Sequence, residues 1–289
     1  MTPRRYFEID VFTDRALYGN PLAVIVDAED LDDAAMQRIA TWTNFSETTF
    51  LLPPTTPEAD YRVRIFTPRQ ELPFAGHPSV GSAFVALACG RVDATRGALV
   101  QECAAGLLPV QVEGDDARRT IRVQAPPARM QMLSTTQADV LRDAVGATAA
   151  RPPQMIDNGP HWLTCDLADA ATVRALEPDM GALAAQCREW DAVGACVFGR
   201  ERDGRADMAV RAFCPADGIP EDPVTGSANA AIAAYLHAEG GLDDYGRRYT
   251  ASQGREVGRD GIVEVSVDTE GHVAVGGRCV VVVEGRLNL

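Results

Sequence analysis

Three side chains in this 289-residue sequence stand where proton chemistry could use them: Glu47 at the mouth of a β-rich run, and His77 and Asp222, each directly before a proline. A glutamate held in a closed, partly apolar cleft has its pKa raised towards neutrality, which suits a group that must both take and return a proton. Histidine titrates near neutral pH, and an aspartate beside it can orient or charge it. The stretch Glu221-Asp222-Pro223-Val224-Thr225-Gly226-Ser227-Ala228 leads into an alanine-rich run and reads as a helix entrance, with Asp222 as cap and Pro223 at the first helical position. The first N–H groups of such a helix have no partner within it, so the loop is a ready seat for an anion. Each residue also has a plainer role: Glu47 as a solvated strand end, His77 and Asp222 as helix caps, Gly226 as a turn glycine.

The elements that must position these residues carry an internal echo. His77-Pro78-Ser79-Val80-Gly81-Ser82-Ala83 and Asp222-Pro223-Val224-Thr225-Gly226-Ser227-Ala228 share P-x-x-G-S-A at an offset of 223 − 78 = 145. Upstream, Val63-Arg64-Ile65-Phe66-Thr67-Pro68 and Val210-Arg211-Ala212-Phe213-Cys214-Pro215 share V-R-x-F-x-P at 210 − 63 = 147. Two motifs in one order at nearly one offset indicate a duplicated strand–loop–helix unit. The duplication predicts that His77 and Asp222 face one another across a cleft. It also isolates Glu47, because Gly194-Ala195-Cys196 stand at its place in the second half. Where a scaffold is doubled, the polar residue present once marks added function.

The rest of the chain fits that frame. Strands are predicted at 6–12, 22–26, 48–52, 61–66, 98–102, 107–112 and 120–124, with a turn at Tyr18-Gly19-Asn20-Pro21. Helices are predicted at 31–42, with Asp30 as cap, and at 78–89; Pro126-Pro127 then breaks the pattern. The second half follows with helices at 137–145 and 179–190, strands at 161–165 and 195–198, and a tail of strands at 262–267, 272–275 and 279–283. Elements in this order do not alternate as in a parallel doubly wound sheet, so the class is α+β. The two halves are set at residues 1–119 and 120–289, with the last strand free to cross back to the first.

Composition narrows the chemistry. A net charge of −14 argues against nucleic acid or an anionic membrane as partner, and no apolar run approaches the roughly 18 residues of a membrane span. Arg4-Arg5-Tyr6-Phe7 is similar to a twin-arginine signal, but Glu8 and Asp10 follow where an apolar region belongs, so the protein is expected in the cytoplasm. The seven cysteines are scattered and never spaced C-x-x-C, which speaks for reduced thiols and against zinc. All 27 basic residues are arginine; without lysine there is no Schiff base, no pyridoxal phosphate anchor and no P-loop. No cofactor and no metal is expected.

Ser46-Glu47-Thr48-Thr49-Phe50, Glu71-Leu72-Pro73-Phe74-Ala75-Gly76-His77-Pro78 and Glu221 to Ala228 closely resemble the signatures of the PhzF-like family of phenazine biosynthesis. The resemblance covers essentially the whole chain, including the Gly19-Asn20-Pro21 turn. It implies the diaminopimelate epimerase fold: two pseudo-twofold-related halves, each a mostly antiparallel sheet around a central helix, with the active site between them. It implies catalytic roles for Glu47, His77 and Asp222. Substrate contacts are implied for Gly76, Gly226, Ser227 and Asn20, and a homodimer is the implied assembly. The related epimerases use a cysteine from each half, whereas Ala75-Gly76-His77 and Asp222-Pro223 occupy those regions here, against two-cysteine racemisation. The expected function is a cofactor-independent isomerase acting on a small carboxylate-bearing substrate. The alternatives are a hydrolase using Ser227, His77 and Asp222, which lacks a G-x-S-x-G elbow, and a non-catalytic binder of small acids.

Overall fold

A computed structural model describes residues 3–93, 95–115, 118–202 and 204–289. The chain divides into two compact units, one of Met1–Gln124 with Gly276–Leu289, the other of Ala125–Val275.

In chain order the first unit holds β1 (Pro3–Val11), β2 (Asn20–Ile25), α1 (Asp33–Thr43), β3 (Thr48–Leu52), β4 (Tyr61–Phe66), β5 (Glu71–Leu72), α2 (Gly76–Ala88), β6 (Ala98–Cys103), β7 (Gly106–Glu113) and β8 (Thr120–Gln124). The chain continues through β9 (Arg129–Met132), α3 (Thr135–Val145), β10 (Gln154–Asp157), β11 (His161–Asp169), α4 (Ala170–Arg174), α5 (Met180–Glu189), β12 (Gly194–Arg200), β13 (Met208–Cys214) and β14 (Ile219–Asp222). Then come α6 (Gly226–Ala238), α7 (Leu242–Tyr245), β15 (Arg248–Gln253), β16 (Gly261–Val267) and β17 (Val273–Gly277), and β18 (Cys279–Asn288) returns to the first unit and pairs with β1.

In the first unit the strands lie in the order β18, β1, β2, β3, β4, β6, β7, β8, parallel only at β2/β3 and β4/β6, with β5 folded back on β4. Helix α2 packs against β1, β2, β3, β4 and β8, strands from both ends of that order, so the sheet curls around it. A helix enclosed in this way is apolar or small on every side: α2 buries residues around its whole circumference, from His77 to Leu87. Small residues let the strands close in, and a Cβ on Gly81 would lie 2.6 Å from the Leu22 side chain.

The second unit repeats the plan. Its order is β9, β10, β11, β12, β13, β15, β16, parallel only at β11/β12 and β13/β15, with β14 folded back on β13 and buried α6 against β10, β11, β12 and β16. Helices α3, α4 and α5 cover a separate core of Leu141, Val173, Leu183, Val197 and Phe213. The α+β class, with a mostly antiparallel sheet around a central helix in each unit, is as expected from the sequence.

The V-R-x-F-x-P echo marks equivalent places, and its chemistry repeats as well. Arg64 forks onto Glu71 (2.7 and 2.6 Å) and lies over the Phe66 ring; Arg211 forks onto Glu221 (3.0 and 2.7 Å) and lies over the Phe213 ring. The P-x-x-G-S-A echo does not. Pro78 is inside α2, two residues after its first residue Gly76, whereas Pro223 stands ahead of α6, which opens at Gly226. Matching the helix starts pairs Gly76 with Gly226 and His77 with Ser227 (offset 227 − 77 = 150), and the strand registers pair Leu72 with Asp222. Asp222 is therefore the last residue of β14 rather than a helix cap; the N-cap of α6 is Thr225. At α1 the cap is Asp32, whose carboxylate accepts from Ala35 N, not Asp30.

Candidate active site

Glu47 directly precedes β3, a strand buried along its whole length, and His77 is the second residue of α2. Packing α2 on β3 brings the two side chains together, with His77 Nε2 3.4 Å from Glu47 Oε2 and side-chain exposures of 9% and 18%. That separation is longer than an N–H···O hydrogen bond and shorter than the reach of a strong charge interaction. Glu47 Oε2 is itself buried and, among the described residues, has His77 Nε2 in ion-pair reach but accepts no hydrogen bond of ordinary geometry. Burial raises the Glu47 pKa above the ordinary carboxylate range, and the Ser46 hydroxyl beside it pulls the other way. The α2 N-cap, Ala75, has no side-chain acceptor to offer, so the positive end of that helix, next to the pair, starts without a side-chain cap.

Asn20 opens β2, is buried, and pairs with Val11. Since β2 runs parallel to β3 with Ala23 beside Thr48, the Asn20 end of β2 lies at the Glu47 end of β3. The preceding turn admits only glycine, because a Cβ on Gly19 would meet the Val11 carbonyl oxygen at 2.4 Å.

In the second unit, α6 also starts without a side-chain cap. Ser227 Oγ accepts a hydrogen bond from Trp162 Nε1 (3.2 Å), and its carbonyl accepts one from Asn158 Nδ2 (2.8 Å). The Asp222 carboxylate accepts a hydrogen bond from the Thr225 hydroxyl. Sequence reasoning missed Trp162, Asn158, Thr225 and the buried Gln253 that bonds Thr225. In the sequence Asn158 signals only a turn, Asn158-Gly159-Pro160, and Trp162 only a strand residue.

The second unit's counterpart of Glu47 is Gly194, because Thr48 pairs with Phe66 as Ala195 pairs with Phe213. A Cβ there would lie 2.2 Å from the Phe213 carbonyl oxygen and 3.0 Å from the Trp162 ring. The asymmetry is thus steric as well as chemical: no side chain fits where the first unit carries its acid. The thiols of this unit are closed to chemistry by desolvation, which pushes Cys196 up to about 12 and Cys214 well above its ordinary value. Among the described residues no three His, Cys, Asp or Glu side chains converge as a metal site.

A buried carboxyl thus stands against an imidazole at the uncapped start of a helix wrapped by its own sheet, in an α+β protein. The family model described as phenazine biosynthesis-like protein matches residues 9–285, and the chain belongs to that family. Among its relatives, the trans-2,3-dihydro-3-hydroxyanthranilate isomerase of Pseudomonas aeruginosa is 35% identical over 99% of both chains. The antisense-enhancing sequence 1 protein of Schizosaccharomyces pombe is 36% identical, again over 99% of both. The crystal structure of the Bacillus anthracis phenazine biosynthesis protein of the PhzF family superposes with a TM-score of 0.85 at 25% identity, covering all of both chains.

Proposed function

We propose that the protein is a cofactor-independent isomerase that moves a proton between carbons of a small carboxylate-bearing substrate, with Glu47 as the acid and base. The observation that carries this reading is the buried Glu47 carboxyl, its Oε2 3.4 Å from His77 Nε2 and without a hydrogen bond of ordinary geometry among the described residues. A carboxylate so placed takes a proton from one carbon and, as the acid it has become, delivers it to another; a raised pKa keeps both forms accessible. His77 supports the pair by sharing the proton or by answering the negative charge. Asp222, Gly76, Gly226, Ser227 and Asn20 keep the catalytic and substrate-contacting roles that resemblance to the family implies. A homodimer stays what the family resemblance implies, and the acidic composition together with free thiols supports the cytoplasm. No helix is long and apolar enough to cross a membrane among the described residues.

The relative's name makes trans-2,3-dihydro-3-hydroxyanthranilate the first compound to assay. Turnover in deuterium oxide, with deuterium appearing at the carbon that gains the proton or the original hydrogen returned there by the same carboxylate, supports the reading. Undiminished turnover by Glu47→Gln overturns it. The hydrolase alternative is disfavoured because Ser227 lacks a G-x-S-x-G elbow. Trapping an acyl group on Ser227 would reinstate it.

A further inference from the structure

The loop that carries Asp222 into α6 is gripped by the hairpin of β15 and β16. Gln253, fully buried at the end of β15, makes three hydrogen bonds to this loop and a fourth to Asn229 in the first turn of α6. Its Nε2 donates to the Asp222 carbonyl (3.0 Å) and to Thr225 Oγ1 (2.8 Å), and its Oε1 accepts from Thr225 N (3.0 Å) and Asn229 Nδ2 (3.0 Å). Backbone approach completes the grip. A Cβ on Gly254, whose φ is +94°, would meet the Pro223 carbonyl oxygen at 2.3 Å, and one on Gly261 would meet the Val224 side chain at 2.4 Å. The hairpin turn is pinned in its own right: Arg255 bonds Asp260 (2.9 Å) and Glu201 (3.3 Å), and Arg174 joins Glu201 to Glu256 (both 3.0 Å).

These bonds admit one arrangement of protons. A backbone N–H can only donate and a carbonyl can only accept, so Thr225 N fixes Oε1 of the Gln253 amide and the Asp222 carbonyl fixes Nε2. With Nε2 donating to Thr225 Oγ1, the threonine hydroxyl proton is left to the Asp222 carboxylate, its other neighbour. We propose that Gln253 and Thr225 are positioning residues: a directed relay, Gln253 to Thr225 to Asp222, that holds the Asp222 carboxylate and the start of α6 in one orientation for the isomerase reaction. This rests on the functional reading given above for Asp222.

Two measurements separate the relay from that reading. The first is amide hydrogen exchange across residues 222–229 in the full-length protein and in Gln253→Leu, Thr225→Val and Thr225→Ser. Loss of the glutamine should accelerate exchange at Thr225 at least tenfold while the rest of the second unit stays protected. Unchanged exchange at Thr225 in folded Gln253→Leu overturns the relay whether or not the protein is an isomerase; if that variant does not fold, failure of Thr225→Val to alter exchange at Ser227 and Ala228 overturns it. The second is turnover of trans-2,3-dihydro-3-hydroxyanthranilate. Thr225→Val should lower kcat about tenfold with KM within twofold, and Thr225→Ser, which restores the hydroxyl, should recover it. Wild-type kcat in Thr225→Val overturns the relay. A wild-type enzyme inert towards this compound counts against the substrate reading alone, and the exchange result then decides the relay.

Discussion

At Glu47 burial and chemistry pull together, and both are measurable. Glu47→Gln keeps the shape and hydrogen-bonding capacity and removes the base, so turnover should fall roughly 10²–10⁴-fold while binding of a substrate analogue survives. The same substitution should not cost stability. A carboxyl whose folded pKa is raised binds more protons folded than unfolded between its ordinary value, about 4.3, and the raised one. Its folded state is therefore most favoured below that window and loses stability as pH rises through it. Thermal melts of Glu47→Gln are expected to match or exceed wild type at pH 7–8 and to converge with it near pH 4. A variant clearly less stable at neutral pH would mean that the carboxylate is paired and stabilising there, against the burial argument. Glu47 was legible in the sequence because it is present in one half only. His77 stood out for its place before a proline, but its contact with Glu47 was not legible: residues 30 apart (77 − 47) meet only because α2 packs across β3, which neither spacing nor duplication discloses.

Among the elements, the doubled strand–hairpin–helix plan was readable where its residues do one job in both units and misleading where they do not. V-R-x-F-x-P aligned correctly because each arginine must satisfy a glutamate and cover a phenylalanine in its own unit. P-x-x-G-S-A aligned falsely, since proline is tolerated both inside the first turn of a helix and in the loop before one, and the register of a loop leaves no periodicity to correct it. The two forks should nevertheless differ in weight. Arg211 and Glu221 have side-chain exposures of 8% and 6%, whereas Arg64 and Glu71 have 17% and 35%. Removing one partner of a buried pair strands the other, at about 3–5 kcal/mol, while an exposed pair contributes about 1 kcal/mol or less. Denaturant midpoints should thus drop far more for Arg211→Ala than for Arg64→Ala. Gly194→Ala is expected to destabilise by about 1–3 kcal/mol through overpacking against the Phe213 carbonyl, with the denaturant slope unchanged.

For the molecule as a whole, the point that composition could not disclose is the path of the last strand. The valine run at Val280-Val281-Val282-Val283 announces a strand, but nothing in it names the partner, and the strand runs on to Asn288 along β1. Order of synthesis then differs from order of completion. The second unit is one unbroken segment, Ala125–Val275, whereas the first waits for Gly276–Leu289, made after it. Ribosomes stalled at residue 275 and then extended by a linker long enough to clear the exit tunnel should carry a protease-resistant second unit and a first unit still open along β1, that resistance spreading to residues 3–124 only once β18 is released. For this chain, birth runs from the N-terminus, but closure begins in the middle and finishes at the beginning.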